Sequence, residues 1–143
     1  MAAKGPQFHG IYVFVEDIQR TISFYERLGL EVEVVSDTFA RATWRNGLTL
    51  SFGTAELTRS YDPNWVAPGQ PGSCTIGFDF ESDADVDVTY KRLVAAGYTP
   101  HLEPCTPPWQ ARFAIVKDPD KNYVGLHGPR DLQADRQREQ GHA

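Results

Sequence analysis

Phe8-His9-Gly10-Ile11-Tyr12-Val13-Phe14-Val15-Glu16-Asp17 is followed by an apolar-periodic stretch, Ile22–Leu30, that contains Phe24-Tyr25 and Leu28-Gly29. The first part reads as a strand rich in β-branched and aromatic residues. The second part reads as a helix over Ile18–Leu28. Its apolar positions Ile18, Ile22, Phe24, Tyr25 and Leu28 fall near a 3.6-residue period. Asp17 is placed to cap the helix start and Gly29 to end it. The same order returns in Ser73–Phe80 followed by Val86–Ala95, with Leu93 and Gly97. A repeat of about 60 residues predicts two similar modules around a shared cavity.

Working outward, Glu31–Ser36, Phe39–Trp44 and Leu48–Gly53 read as strands, and Arg45-Asn46-Gly47 is a hairpin signal. In the second half, a strand Cys74–Phe80, a helix Ala84–Ala95 and a strand Tyr98–Leu102 precede a Pro-rich loop, Glu103–Pro108. Strand Ala111–Val116, turn Asp118–Asn122 and strand Tyr123–Leu126 complete it. The expected fold is α+β, with a β-α-β-β-β module over 8–56, a linker over 57–73, a second such module over 74–128, and a polar tail over 129–143. The linker lies in the Pro-punctuated stretch Thr54–Gly72, which also carries Tyr61 and Trp65. The tail is expected to be frayed.

The chain has 143 residues, 41% hydrophobic and 23% charged. That is ordinary for a globular protein, and large enough to fold without disulfides or a structural metal. A formal charge of −5 and the lack of a Lys/Arg cluster argue against nucleic acid. No apolar run approaches the ~20 residues of a membrane span, and Met1–Gln7 has no signal-peptide apolar core. Cys74 and Cys105 show neither metal-ligand nor disulfide spacing. A cytoplasmic protein with free thiols is expected, with Cys74 inert at the start of a buried strand.

Phe24-Tyr25-Glu26-Arg27-Leu28-Gly29-Leu30 after the first strand and Asp118-Pro119-Asp120-Lys121-Asn122-Tyr123 before the last resemble the vicinal oxygen chelate superfamily. That superfamily includes glyoxalases, extradiol dioxygenases and the fosfomycin and bleomycin resistance proteins. The resemblance covers residues 8–128. It implies cup-shaped mixed sheets built from paired modules, and a homodimer. Metal-dependent members carry ligands at four cup-facing positions, which the resemblance maps to Gly10, Ser51, Thr75 and Gly125. None is a good ligand for a divalent cation. His9 stands one residue off the first position, and in a strand that shift points a side chain to the opposite face.

Strand alternation supports the phasing. Ile11, Val13 and Val15, Leu50 and Phe52, Ile76, Phe78 and Phe80, and Val124 and Leu126 form one apolar face for the helices to bury. The other face then carries small, polar and aromatic groups. The expected ligand-lining set is Tyr12, Phe14, Thr49, Ser51, Trp65, Thr75, Asp79, Trp109, Tyr123 and His127, with Tyr61 as a further wall. Each has a plainer role open to it. Tyr12 and Phe14 can fill the second face of a sheet or a dimer interface, and Trp109 can anchor a Pro-rich loop. Asp79 and His127 can be solvated strand ends, and His9 a surface residue. Asp118-Pro119-Asp120 reads as turn chemistry and Glu81-Ser82-Asp83 as a helix start.

The reading closest in character is a metal-free binding protein that sequesters an aromatic natural product or antibiotic, as the bleomycin-resistance branch does. No catalytic residue and no cofactor are assigned. A net negative charge suits a cationic ligand. The alternative is a metal-dependent glyoxalase- or dioxygenase-like enzyme acting on a small oxygenated substrate, which needs His9, His101, His127 or Glu103 to recruit a metal elsewhere. A metal-free enzyme using Asp79 or His127 as acid–base groups also stays open.

Overall fold

The computed structural model describes residues 5–67, 74–107 and 111–129. The chain divides into two compact units, Met1–Gly69 and Gln70–Ala143. The first contains β1 (Gly10–Val15), α1 (Ile18–Leu28), β2 (Glu33–Ser36), β3 (Phe39–Thr43), β4 (Thr49–Thr54) and α2 (Ala55–Tyr61). The second contains β5 (Thr75–Asp79), α3 (Asp83–Ala95), β6 (Pro100–Cys105), β7 (Phe113–Lys117) and β8 (Tyr123–His127).

The first sheet has strand order β1-β4-β3-β2 and the second β5-β8-β7-β6, so the internal repeat is a repeat of topology. In each, the outer strand pairs parallel to the strand that closes the module, Gly10 with Thr49 and Thr75 with Tyr123. The remaining pairs are antiparallel. A parallel pair needs a crossover, and α1 and α3 supply it.

Local chemistry sets the helix ends. The Asp17 carboxylate accepts from the Gln19 and Arg20 amides at 2.9 and 3.1 Å, and Gly29, at φ 120°, closes α1 in a conformation that glycine adopts without a Cβ penalty. Ser82 Oγ accepts from the Asp85 amide at 3.1 Å to start α3. Apolar packing then fixes both helices. Phe24, Tyr25 and Leu28 of α1 are buried with Leu50 and Phe52 of β4, and the Tyr25 and Phe52 ring centroids are 4.6 Å apart. Val86 and Leu93 of α3 are buried with Val116, Val124 and Leu126. Each such side chain contributes about 1.5–3 kcal/mol by leaving water.

Several sequence expectations need correction. The stretch read as linker starts with a helix, α2, because Thr54 Oγ1 accepts from the Leu57 amide at 3.3 Å and Thr58 Oγ1 donates back to the Thr54 carbonyl at 3.0 Å. The Pro-rich loop begins later than expected, since β6 runs to Cys105 with two register shifts. Pro100 and Pro104 are tolerated there because β6 is an edge strand. Cys74 does not start a buried strand; it is exposed and precedes β5. Ile11 is 44% exposed despite its place on the helix-covered face. Among the described residues, no helix is long and apolar enough to cross a membrane. Trp109 and all of the 129–143 tail except Pro129 lie outside the described residues.

Candidate functional site

Strand pairing settles which residues share a face. In the first unit, Gly10, Tyr12 and Phe14 align with Thr49, Ser51 and Gly53, and these with Thr43, Arg41 and Phe39. This set lies opposite the α1-covered core. It brings together the expected site residues Tyr12, Phe14, Thr49 and Ser51. Trp65 joins them, its ring 5.0 Å from Phe14, and Tyr12 lies 5.3 Å from Phe14 and 6.1 Å from Phe39.

Much of this face is already covered. α2 packs on β4 and β1, and the Arg59 guanidinium sits 5.1 Å from the Trp65 ring centroid. The Tyr12 phenol lies across Gly53, where a Cβ would collide with its hydroxyl. That hydroxyl is buried and has no hydrogen-bond partner among the described residues. Tyr61 and Thr58 are its polar neighbours, and burial, followed by Tyr61, raises its pKa above the ordinary tyrosine value. Tyr61 itself is 63% exposed.

In the second unit, Thr75, Gly77 and Asp79 align with Tyr123, Gly125 and His127, and these with Lys117, Ile115 and Phe113. Four expected site residues, Thr75, Asp79, Tyr123 and His127, therefore share one face. Thr75, Gly77 and Asp79 are exposed. His101 stacks on Tyr123 with centroids 4.4 Å apart and planes at 22°. Phe113 lies 4.6 Å from the His127 ring. The His127 imidazole lies along the glycine row: its Nε2 is 3.3 Å from where a Gly77 Cβ would be and 2.9 Å from that of Gly125. Glycines thus make the space that the imidazole fills.

Phe39, Phe113 and Lys117 were missed by the sequence reading. Their signal was present as alternation in Phe39–Thr43 and Phe113–Lys117, two strands whose faces were left unphased.

The four positions that the sequence resemblance maps to metal ligands do not fit a metal here. At Gly10, with φ 157°, any Cβ would collide with the Thr49 carbonyl. Ser51 and Thr75 offer neutral hydroxyls, and Gly125 has no side chain. Among the described residues, no group of three or more His, Cys, Asp or Glu is placed to hold an ion. His9 is an exposed residue just before β1, in keeping with the surface reading, and its Nε2 stands 3.3 Å from Thr49 Oγ1.

A separate concavity of about 310 Å³ lies on the α3 side of the second unit, lined by Asp87, Tyr90, Lys91, Glu103, Pro104 and Arg112. Arg112 spends its donors on Asp87, at 2.9 and 3.3 Å, and on Thr106 at 3.3 Å. Burial, then Glu103, raises the Tyr90 pKa.

A sequence model of the Glyoxalase/Bleomycin resistance protein/Dioxygenase superfamily matches residues 7–126, and the chain belongs to that superfamily. No curated protein matches it in sequence. Among solved structures it is similar to a glyoxalase-related enzyme from Fulvimarina pelagi, at 22% identity and TM-score 0.74, over 86% of this chain and 88% of that one. It is also similar to a glyoxalase/bleomycin resistance protein/dioxygenase from Nocardioides, at 21% identity and TM-score 0.69, over 89% and 85%. A fosfomycin resistance protein from Listeria monocytogenes, complexed with Mn(II) and sulfate, matches at 18% identity and TM-score 0.70, over 96% and 99%. At these identities the likeness establishes the α+β fold of two four-stranded mixed sheets with helices.

Proposed function

We propose that this chain binds a small aromatic molecule and sequesters it without metal or chemistry, as a resistance-type protein of the cytoplasm that acts as a homodimer. The observation that carries this reading is the face of the second sheet opposite its buried core. It combines the rings of Tyr123, Phe113, His101 and His127 with the hydroxyl of Thr75 and the carboxyl of Asp79. Flat apolar area with a few orienting polar groups is how small-molecule sites are lined. Each well-placed aromatic contact adds about 0.5–1.5 kcal/mol beyond the area it buries. The donor chemistry at Gly10, Ser51, Thr75 and Gly125 supports the absence of a metal step.

In the second unit the proposed ligand contacts are Thr75, Asp79, Tyr123 and His127; in the first unit, taken by itself, Tyr12, Phe14, Thr49, Ser51 and Trp65 are the proposed contacts, and Trp109 is proposed from the sequence alone. Elemental analysis of dialysed protein, paired with a thermal-shift screen over natural-product antibiotics, tests the reading. A metal-poor protein stabilised by one aromatic class is expected. Stoichiometric zinc, nickel, manganese or iron, or turnover of a bound compound, would replace this reading with the metal-dependent glyoxalase- or dioxygenase-like enzyme.

A further inference from the structure

Charge on this same face of the second sheet is segregated. Lys117 is half-buried on β7, in the row that runs Thr75–Tyr123–Lys117. Its Nζ stands 5.8 Å from the Tyr123 ring centroid. His101 stacks on the same ring at 4.4 Å. Among the described residues the ion pairs are Arg41–Glu33 and Arg112–Asp87, so Lys117 has no carboxylate at ion-pair distance. The carboxylate of this face, Asp79, belongs to the row of His127 and Phe113. Four residue steps along β5 separate that row from Thr75, roughly 13 Å at about 3.3 Å per step.

An ammonium held over a ring, with no carboxylate at ion-pair distance among the described residues, is a site for an anion. The ring pair beside it is flat, which asks for a flat partner. We infer that this corner recognises the anionic group of a planar aromatic ligand, a carboxylate or a phenolate, with the anion on Lys117 and the ring system against His101 and Tyr123. This rests on the small-molecule-binding reading above and reverses the sign that net charge suggested. The chain's −5 is spread over its surface, and charges farther than a Debye length of about 8 Å are screened at physiological salt. The nearby ammonium therefore sets the preference.

The test uses two near-isosteric probes, 2-naphthoate and 2-naphthamide, titrated calorimetrically into the full-length chain and into Lys117→Gln and Lys117→Arg. The naphthoate should bind more tightly than the amide. Lys117→Gln should weaken the naphthoate about tenfold, the loss of one charge-assisted contact, and leave the amide within about twofold. Lys117→Arg should retain the preference. Equal affinities for both probes, unmoved by Lys117→Gln, would overturn the anion site while leaving aromatic binding in place. Binding of neither probe would overturn both readings. Circular dichroism of each variant separates lost contact from lost fold, and Lys117→Met, which also removes the charge, repeats the test if the glutamine variant unfolds.

Discussion

His127 Nε2 lies 2.9 Å from the point that a Cβ on Gly125 would occupy, and Thr75 Cγ2 lies 3.1 Å from it. The imidazole and the glycine row are therefore one unit of packing. Gly125→Ala must push the ring off the sheet or the strands apart. We expect a loss of about 1–3 kcal/mol, the usual cost of overpacking, together with a displaced His127 resonance. Chemical denaturation and side-chain NMR check the two together. A stable variant with an unmoved imidazole would show that the face has slack.

Gly10→His installs the residue type that the sequence resemblance implies for a metal ligand on the first strand. Here it should damage rather than repair. The Cβ collides with backbone at Thr49, which cannot yield as a flexible side chain can. The expected cost is about 1–3 kcal/mol. Differential scanning fluorimetry with and without Mn(II) or Zn(II) should show a lower Tm that neither metal recovers.

Tyr12→Phe removes a buried hydroxyl that has no partner among the described residues. A gain of about 1 kcal/mol is expected, since an unpaired buried polar atom costs about 1–3 kcal/mol. The pH profile should change as well. Burial raises the folded-state pKa of Tyr12 above its unfolded value near 10.0. The unfolded chain therefore loses this proton first, and stability falls as pH climbs from about 10 through the folded-state value. Below about 10, Tyr12 is neutral in both states and contributes no slope. Urea midpoints measured from pH 8 to pH 11 should fall less steeply in the phenylalanine variant.

Lys121 adopts φ 69° in the turn after β7. The turn is otherwise well held: Asp118 Oδ1 accepts from the Asp120 and Asn122 amides, both at 2.9 Å. A left-handed side-chain-bearing residue costs about 1–2 kcal/mol, against about 0.4–1 kcal/mol of extra chain entropy for glycine. Lys121→Gly should therefore stabilise by about 0.5–1 kcal/mol. Thermal denaturation reads this directly.

Two kinds of signal made the fold legible. Alternation of Ile11, Val13 and Val15 against Tyr12 and Phe14 gave strand phase, and burial of the apolar partners follows from it, apart from Ile11 at the strand's open end. Capping at Asp17 and Gly29 gave helix limits, because those side-chain and backbone demands are local. What stayed hidden depends on tertiary context. The helix α2 spans seven residues, too short for a period to show, and its stability comes from packing over Tyr12 rather than from propensity. The extension of β6 through Pro104 needs knowledge that the strand is at an edge. The approach of His9 to Thr49 joins residues 40 positions apart, which no local spacing rule encodes. The approach of Lys117 to Tyr123 joins two strands across a turn, and only pairing register shows it.

The seam between β1 and β4 joins partners such as His9 and Thr49, 40 positions apart along the chain. Hairpins such as β3–β4 can zip from their own turn, whereas that seam must wait for a large loop to close. Refolding of the first unit should thus be limited by seam closure, with β3–β4 and α1 forming early. Until the seam closes, the inner edge of β4 is bare, so crowded refolding exposes a strand ready to pair with a neighbouring chain.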